Sequence, residues 1–228
     1  HDFHPVCRAV NPRFEGTCTR CTRDNLARCI ESNPLNRIFE VPGADDWHRM
    51  RTRFTDLVLE RAIPIVVPSE WMVGTLRALD PRLASASIRV IGHGIDFRPP
   101  RLAWKAPAAG ERLRLVVPGR LSAQKGMDLL RAAAPGLKPL ADVTLVGGGG
   151  NGAKLAAECG FGIVESYRED ELPSILAGLA PHAAVLASVV PETFSYTLGE
   201  MLALGIPPLA TDHGAFASRM KSIARRVM

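Results

Sequence analysis

From residue 112 onward the apolar positions fall into a repeating rhythm. RLRLVVP is a short, nearly continuous apolar run, and AQKGMDLLRAAA carries its apolar residues at helical spacing. The pair recurs as ADVTLVG and GAKLAAEC, as GIVES and EDELPSILAGLA, and as AAVLAS and FSYTLGEMLAL, with IPPLAT as a last short run. Apolar runs without alternation suit strands covered on both faces. Such runs alternating with helical segments predict βαβ units, a parallel sheet and helices on both faces. Ligands of these sheets sit beyond the carboxyl ends of the strands, so the informative residues should lie just after each strand.

The first hundred residues are less regular. Residues 1–55 carry little periodicity and read as irregular, whereas MRTRFTDLVLER (50–61) has a helical pattern. Ile63 to Val67 reads as a buried strand, and Ser69 as the cap of the helix SEWMVGTLRAL. Ile88 to Ile91 reads as a second strand, closed by the turn Gly92-His93-Gly94. Residues 98–111 are Pro- and Ala-rich and read as a linker. The expected organisation is a partial Rossmann-like domain over 1–97, the linker, and a nucleotide-binding Rossmann-like domain over 112–228. The closing SRMKSIARRVM reads as an interrupted helix.

Composition narrows the function classes. An apolar fraction of 46% over 228 residues suits a globular protein with a core. No apolar stretch approaches the ~20 residues needed to span a bilayer. The net charge of +5 is spread along the chain, which fits a solvated Arg-rich surface. It also suits contact with phosphorylated substrates or the surface of an anionic inner membrane. Nucleic acid is not an expected partner, because the few aromatic residues do not interleave with a basic stripe. Five cysteines, an odd number, argue against a secreted disulfide scaffold and place the chain in a reducing cytoplasm.

Two segments carry chemistry. The first, Pro118-Gly119-Arg120-Leu121-Ser122-Ala123-Gln124-Lys125-Gly126, follows the first strand of the regular half. Gly119 allows a tight turn, and Arg120 and Lys125 place two cations where a diphosphate would need them. The second, Pro191-Glu192-Thr193-Phe194-Ser195-Tyr196-Thr197-Leu198-Gly199-Glu200, follows AAVLAS and opens a helix. A helix N-terminus offers backbone N–H groups to an anion. Glu192 sits before that end and Glu200 well inside the helix; at ~1.5 Å per residue the intervening rise is on the order of 10 Å, about the reach from a sugar past a diphosphate to a ribose. The bland readings are surface cations for Arg120 and Lys125, a first-turn dipole partner for Glu192 and a solvated helix residue for Glu200.

Together these segments, G-R-L-S-x-x-K-G and then P-E-x-F-x5-E, resemble the donor site of retaining family 4 glycosyltransferases (glycosyl transferases group 1). VVPSEWM and IGHGID are similar to the end of that family's N-terminal domain, and HDFHPVC to its His-Asp segment. The resemblance implies an α/β GT-B fold, with two Rossmann-like domains, parallel sheets and an incomplete N-terminal domain. It implies transfer of a sugar from a nucleotide diphosphate sugar to a glycan or lipid-linked acceptor, as in bacterial surface polysaccharide synthesis. Arg120 and Lys125 would bind the diphosphate, Glu192 the donor sugar and Glu200 the ribose. Backbone groups near Phe194 and Ser195 would meet phosphate, and His1 would face the sugar. The resemblance also implies retention by front-face substitution, and no glycosidase-like carboxylate nucleophile stands out. No Asp-x-Asp motif occurs, so no metal cofactor is expected; cations and a helix end would stabilise the leaving group. The family's first strand would precede His1, and its last strand and returning helix would follow Asp212-His213-Gly214. The chain therefore reads as a fragment, with activity expected of its parent.

Two other readings compete. Gly147 to Gly152 satisfies G-x-G-x-x-G after a strand, with Glu165 at the end of the next strand, a signature of NAD(P)-binding folds. The neutral reading is a tight turn around Gly148 that brings backbone close to a nucleotide. Cys7, Cys18, Cys21 and Cys29 include one C-x2-C pair, a common zinc spacing, and suggest a structural zinc clip or a zinc-clipped interaction fragment. Their bland reading is burial as small hydrophobes.

Overall fold

The computed structural model describes residues 1–228 except 1, 2, 5, 10, 17, 35–42, 95–98 and 228, with no side chains from 223 onward. The chain forms two compact units. The first comprises His1–His93, Val190–Phe194 and His213–Met228, and the second Gly94–Val189 and Ser195–Asp212.

The first unit begins with two helices inside the stretch expected to be irregular. Helix α1 (Arg23–Ser32) is capped by Thr22, whose Oγ1 accepts from the Asn25 amide at 3.2 Å, and it buries only Leu26. Helix α2 (Ala44–Glu60) buries Trp47, Arg51, Thr55 and Val58. Those positions have helical spacing, but two of the four are polar, so a hydrophobic pattern hides the first turns. Thr55 Oγ1 donates to Asp80 Oδ2 at 2.9 Å, and the Arg82 guanidinium donates to the same carboxylate. Strands β1 (Ile65–Val67) and β2 (Ile88–Val90) pair in parallel around helix α3 (Glu70–Leu79). Val67 is buried, while Val66 is 55% exposed. Ser69 does not cap α3 with its side chain: its Oγ is buried without a hydrogen-bond partner. Phe3, Val6, Val58, Val67, Met72, Leu76, Leu79 and Leu83 form this unit's core.

The second unit is the regular one. Strands β3 (Leu113–Pro118), β4 (Ala141–Val146), β5 (Gly162–Val164), β6 (Ala183–Leu186) and β7 (Pro208–Ala210) form a parallel sheet in the order β5-β4-β3-β6-β7. Helices α4 (Met127–Leu137), α5 (Gly149–Cys159), α6 (Leu172–Leu179) and α7 (Tyr196–Leu204) connect the strands. Leu115 and Val117 pack with Leu130 of α4 and Leu155 of α5 on one face. Val116 packs with Leu172 and Leu176 of α6 and Met201 and Leu204 of α7 on the other. Apolar side chains are thus required at consecutive strand positions, as the sequence pattern implied. Residues 99–112 form no helix or strand. Part of that stretch is tied to this unit: Leu102 N donates to Leu204 O, and Trp104 Nε1 to His182 O, each at 2.9 Å. The last helix, α8 (Gly214–Val227), belongs to the first unit and packs on α3.

Candidate functional site

The strand order β5-β4-β3-β6-β7 reverses direction between β3 and β6, and the carboxyl ends of the strands at such a point carry ligands. In the second unit those ends open onto a cleft of about 440 Å³. Four segments line it: Gly119 and Arg120 after β3, Gly147 and Gly149 after β4, Glu165 to Tyr167 with Glu169 after β5, and Glu200 from α7.

The segments after β3 and β4 are held by hydrogen bonds to neighbouring strands. Gly119 N donates to Val146 O at 2.8 Å and Gly147 N to Val164 O at 2.7 Å, so each strand end is tied to its neighbour. Gly147 has φ +79°, and a Cβ on it would lie 2.6 Å from Cε1 of Tyr167. The glycine is needed there for both its backbone angle and the approach of the tyrosine ring. A Cβ on Gly148 would lie 2.9 Å from the Gly152 Cα, so the glycine run lets α5 turn tightly off its strand. Gly148 shapes this turn, while its neighbours Gly147 and Gly149 line the cleft.

The cleft has a cationic wall in Arg120 and an acidic one in Glu165, Glu169 and Glu200. Glu200 is half-buried, and burial first, then the nearby Glu169 charge, push its carboxyl above the usual range. Tyr167 is raised likewise by burial and then by the charges of Glu200 and Glu169. A carboxylate so placed gains from a neutral hydrogen-bond donor that satisfies it out of water.

The other predicted residues lie elsewhere. Lys125 sits on the turn before α4, where its amide donates to Ser122 O at 3.0 Å. That turn ends at Gly126, which has φ +84° and caps α4, so the expected helix over 123–134 starts only at Met127. Ser195 opens α7: its Oγ accepts from the Leu198 amide at 3.2 Å, and its backbone holds φ +68°. A non-glycine residue in that region is strained, a feature that clusters at functional sites. Helix α7 begins at Tyr196, two residues after the expected start at Phe194, so of the stretch between the two glutamates only the part from Tyr196 onward is helical. Glu192 belongs to the first unit, where its carbonyl accepts from the Ala215 amide at 2.7 Å. Phe194, also in that unit, is buried against His93, with ring centroids 4.9 Å apart, and under Arg219, whose guanidinium carbon stands 4.0 Å from the ring. His1 lies outside the described residues.

Tyr167 and Glu169 had no place in the motif reading. The signal existed, since both follow β5, but they match no motif there. For metal, no three His, Cys, Asp or Glu side chains among the described residues are already drawn together in coordinating geometry.

Comparison with known proteins bears on the fold. Residues 112–223 match the family model described as glycosyl transferases group 1. No curated protein matches the chain. Among solved structures, the Anabaena protein Alr3699/HepE in complex with UDP and glucose is 18% identical, with TM-score 0.52 over 86% of this chain and 59% of its own. TarM gives TM-score 0.53 at 15% identity over 72% of this chain and 32% of its own. The apo lipopolysaccharide outer core galactosyltransferase WaaB gives 0.51 at 19% over 65% and 43%. The chain spans less than two thirds of the length of each. These likenesses establish the α/β GT-B fold with parallel sheets. Among the described residues no helix is long and apolar enough to cross a membrane.

Proposed function

Starting from the group 1 glycosyltransferase domain that residues 112–223 carry, we propose that this chain holds the donor half of a retaining, metal-independent sugar transferase. The observation that carries the proposal is the cleft at the strand ends, where Arg120 and Glu200 face one space beside close-packed glycine turns. Glu200 accepts the ribose hydroxyls, whose neutral O–H donors suit a carboxylate withdrawn from water. Arg120, with Lys125 from the turn before α4, carries the diphosphate. Charge on that leaving group grows as the sugar departs, so the cations act more strongly on the transition state than on the bound donor. Backbone groups at Phe194 and Ser195 add to the phosphate site, and Glu192 takes the sugar. The acceptor is a glycan or lipid-linked sugar, reached from the cytoplasmic side and supported by peripheral contact of the basic surface with the membrane. Structures of this fold carrying UDP and glucose, and a lipopolysaccharide galactosyltransferase, lend support to that substrate class. Residues 98–111 are proposed as the join between the donor half and the acceptor half.

Calorimetry with nucleoside diphosphates tests the site. Glu200→Ala should weaken binding at least tenfold, since a hydrogen bond to a charged group contributes roughly 1.5–3 kcal/mol. Arg120→Ala and Lys125→Ala should weaken the nucleotide and its sugar conjugate alike. Glu192→Ala should impair the sugar conjugate and spare the free nucleotide. If all four variants bind as the parent does, the assignment fails.

A further inference from the structure

The first unit holds a second pocket, of about 210 Å³, that the transfer reaction does not use. Cys7, Cys18, Cys21 and Cys29 all line it, and so does Arg8. They come from three separate places: the N-terminal turn, the C-x2-C segment before α1, and the α1 helix itself. Residues 22 positions apart at the extremes thus share one cavity wall. None of the four is in a disulfide, and Cys7 lies within electrostatic reach of the other three.

Arg8 is the independent observation. It is 8% exposed, and its Nε and Nη1 are buried without a hydrogen-bond partner. A guanidinium in that position loses its hydration at those two nitrogens with no hydrogen bond to offset the loss, which ordinarily excludes such an arrangement. Four neutral thiols packed as small hydrophobes leave Arg8 unexplained. Four thiolates around a divalent ion explain it. Two units of negative charge would remain after coordination, and the orphaned N–H groups would have sulfur to donate to.

We propose that Cys7, Cys18, Cys21 and Cys29 form a structural zinc site, with Arg8 as the positioning residue that offsets part of the thiolate cluster's charge. Cys18 and Cys21 supply the short bite of a C-x2-C pair, and Cys7 and Cys29 close the tetrahedron. The four thiols line the cavity, and no three of them already stand in coordinating geometry. Binding turns the side chains inward to Zn–S distances of ~2.3 Å and releases the four thiol protons to solvent. Two of the sulfurs already have supporting contacts: Asn33 Nδ2 donates to Cys29 Sγ at 3.2 Å, and the backbone at Ala9 hydrogen-bonds to Cys7. Metal ligands are commonly oriented by such outer contacts. The ion would link the N-terminal turn to α1, a helix that buries only Leu26, and so contribute folding energy.

The test is the metal content of tag-free protein purified without chelator. One zinc per chain is expected, released when a mercurial reagent titrates the thiols. Cys7→Ser and Cys18→Ser should lose the zinc and lower Tm, while Cys159→Ser keeps both. Arg8→Gln should retain the fold and bind zinc on the order of 10–100-fold more weakly in competition with a chromogenic chelator. Nucleoside diphosphate affinity should not change in any of these variants, which separates this site from the donor cleft. Five reactive thiols with no zinc bound, even after Zn²⁺ is added under reducing conditions, would overturn the proposal. So would a disulfide seen by mass, or iron in place of zinc.

Discussion

In the second unit, Val116 and Val117 point to opposite faces of the sheet and both are buried. In the first unit, Val67 is buried while Val66 beside it is 55% exposed. The difference runs through both units. The second is held by apolar layers on two faces of five strands, with its polar residues kept beyond the strand ends. The first has a two-stranded sheet and buries Arg8, Arg51, Thr55 and Asp80 inside. One unit is organised by apolar contact, the other in good part by polar pairing. The unit built on apolar layers leaves its charged groups available for a ligand; the other spends them on its own interior.

Core truncation should show the largest contrast. Leu145, near the carboxyl end of β4, and Leu83, in the short 3₁₀ segment Pro81–Ser85, are both fully buried. Leu→Ala at buried sites costs about 2–5 kcal/mol, depending on how far the surroundings relax. Leu145→Ala should fall near the top of that range, because strands on both sides hold β4 in place. Leu83→Ala should fall near the bottom, since a short 3₁₀ turn can shift. Segment-resolved hydrogen exchange in denaturant measures both. A larger loss for Leu83→Ala would break the comparison.

Glycine substitutions sharpen it further. A Cβ on Gly126 would lie 2.0 Å from the Ala187 carbonyl oxygen, and its φ is +84°. Gly126→Ala should therefore cost about 2–3 kcal/mol, through overpacking and backbone strain. Gly178 lies in α6 with open space where a Cβ would go, and Gly178→Ala should be neutral or stabilise by up to about 1 kcal/mol. Thermal unfolding of the two variants decides it; equal Tm values would mean the turn before α4 relaxes freely.

The same contrast explains what could be read in advance. The five strands and four helices of the second unit were legible because their runs are apolar and alternate with helical segments; β3 buries consecutive apolar residues, while the edge strands β5 and β7 leave Ile163 and Leu209 exposed. Helix α1 buries only Leu26, and α2 has Arg51 and Thr55 on its inner face, so neither announced itself before residue 50. Ser69 looks like a cap by residue type alone; its hydroxyl is buried instead, which type cannot reveal. At the cleft, Gly119, Arg120 and Glu200 were legible through spacing after strands. Tyr167 and Glu169 were not, because their place depends on how far the chain travels after β5 before α6 begins. The four cysteines were visible as a count, but only the fold places them in one pocket with Arg8.

Acidification should act on the first unit through Asp80. Burial alone would raise this carboxyl, but hydrogen bonds from Arg82 and Thr55 hold it below the usual range. A carboxyl lowered by folding stabilises above its unfolded pKa, and that contribution is lost as pH falls through the lowered folded value. Asp80→Asn should cost about 1–3 kcal/mol at neutral pH and nothing extra at strongly acid pH. Parallel urea titrations of parent and variant at both pH values would show it. A cost independent of pH would mean that shape, and not charge, holds this corner.

Glu200 gives the opposite sign and the smallest effect. Its carboxyl is raised by burial and then by Glu169, so ionisation is disfavoured in the folded state. A group raised on folding stabilises below its unfolded pKa, and the contribution is lost as pH climbs through the raised folded value. At neutral pH the folded protein therefore carries an unfavourable ionised carboxylate, which Glu200→Gln removes at nearly constant shape. The variant should show a small rise in Tm at neutral pH, shrinking as pH falls through the ordinary carboxylate range, because parent and variant are then both neutral. The same variant should bind nucleoside diphosphate more weakly, since the amide is a poorer acceptor for ribose hydroxyls. A gain in stability paired with a loss of binding would mark Glu200 as a residue whose charge is kept for the ligand. A loss of stability at neutral pH would instead mean that the carboxylate serves the fold, and Arg120 alone would be left to define the cleft.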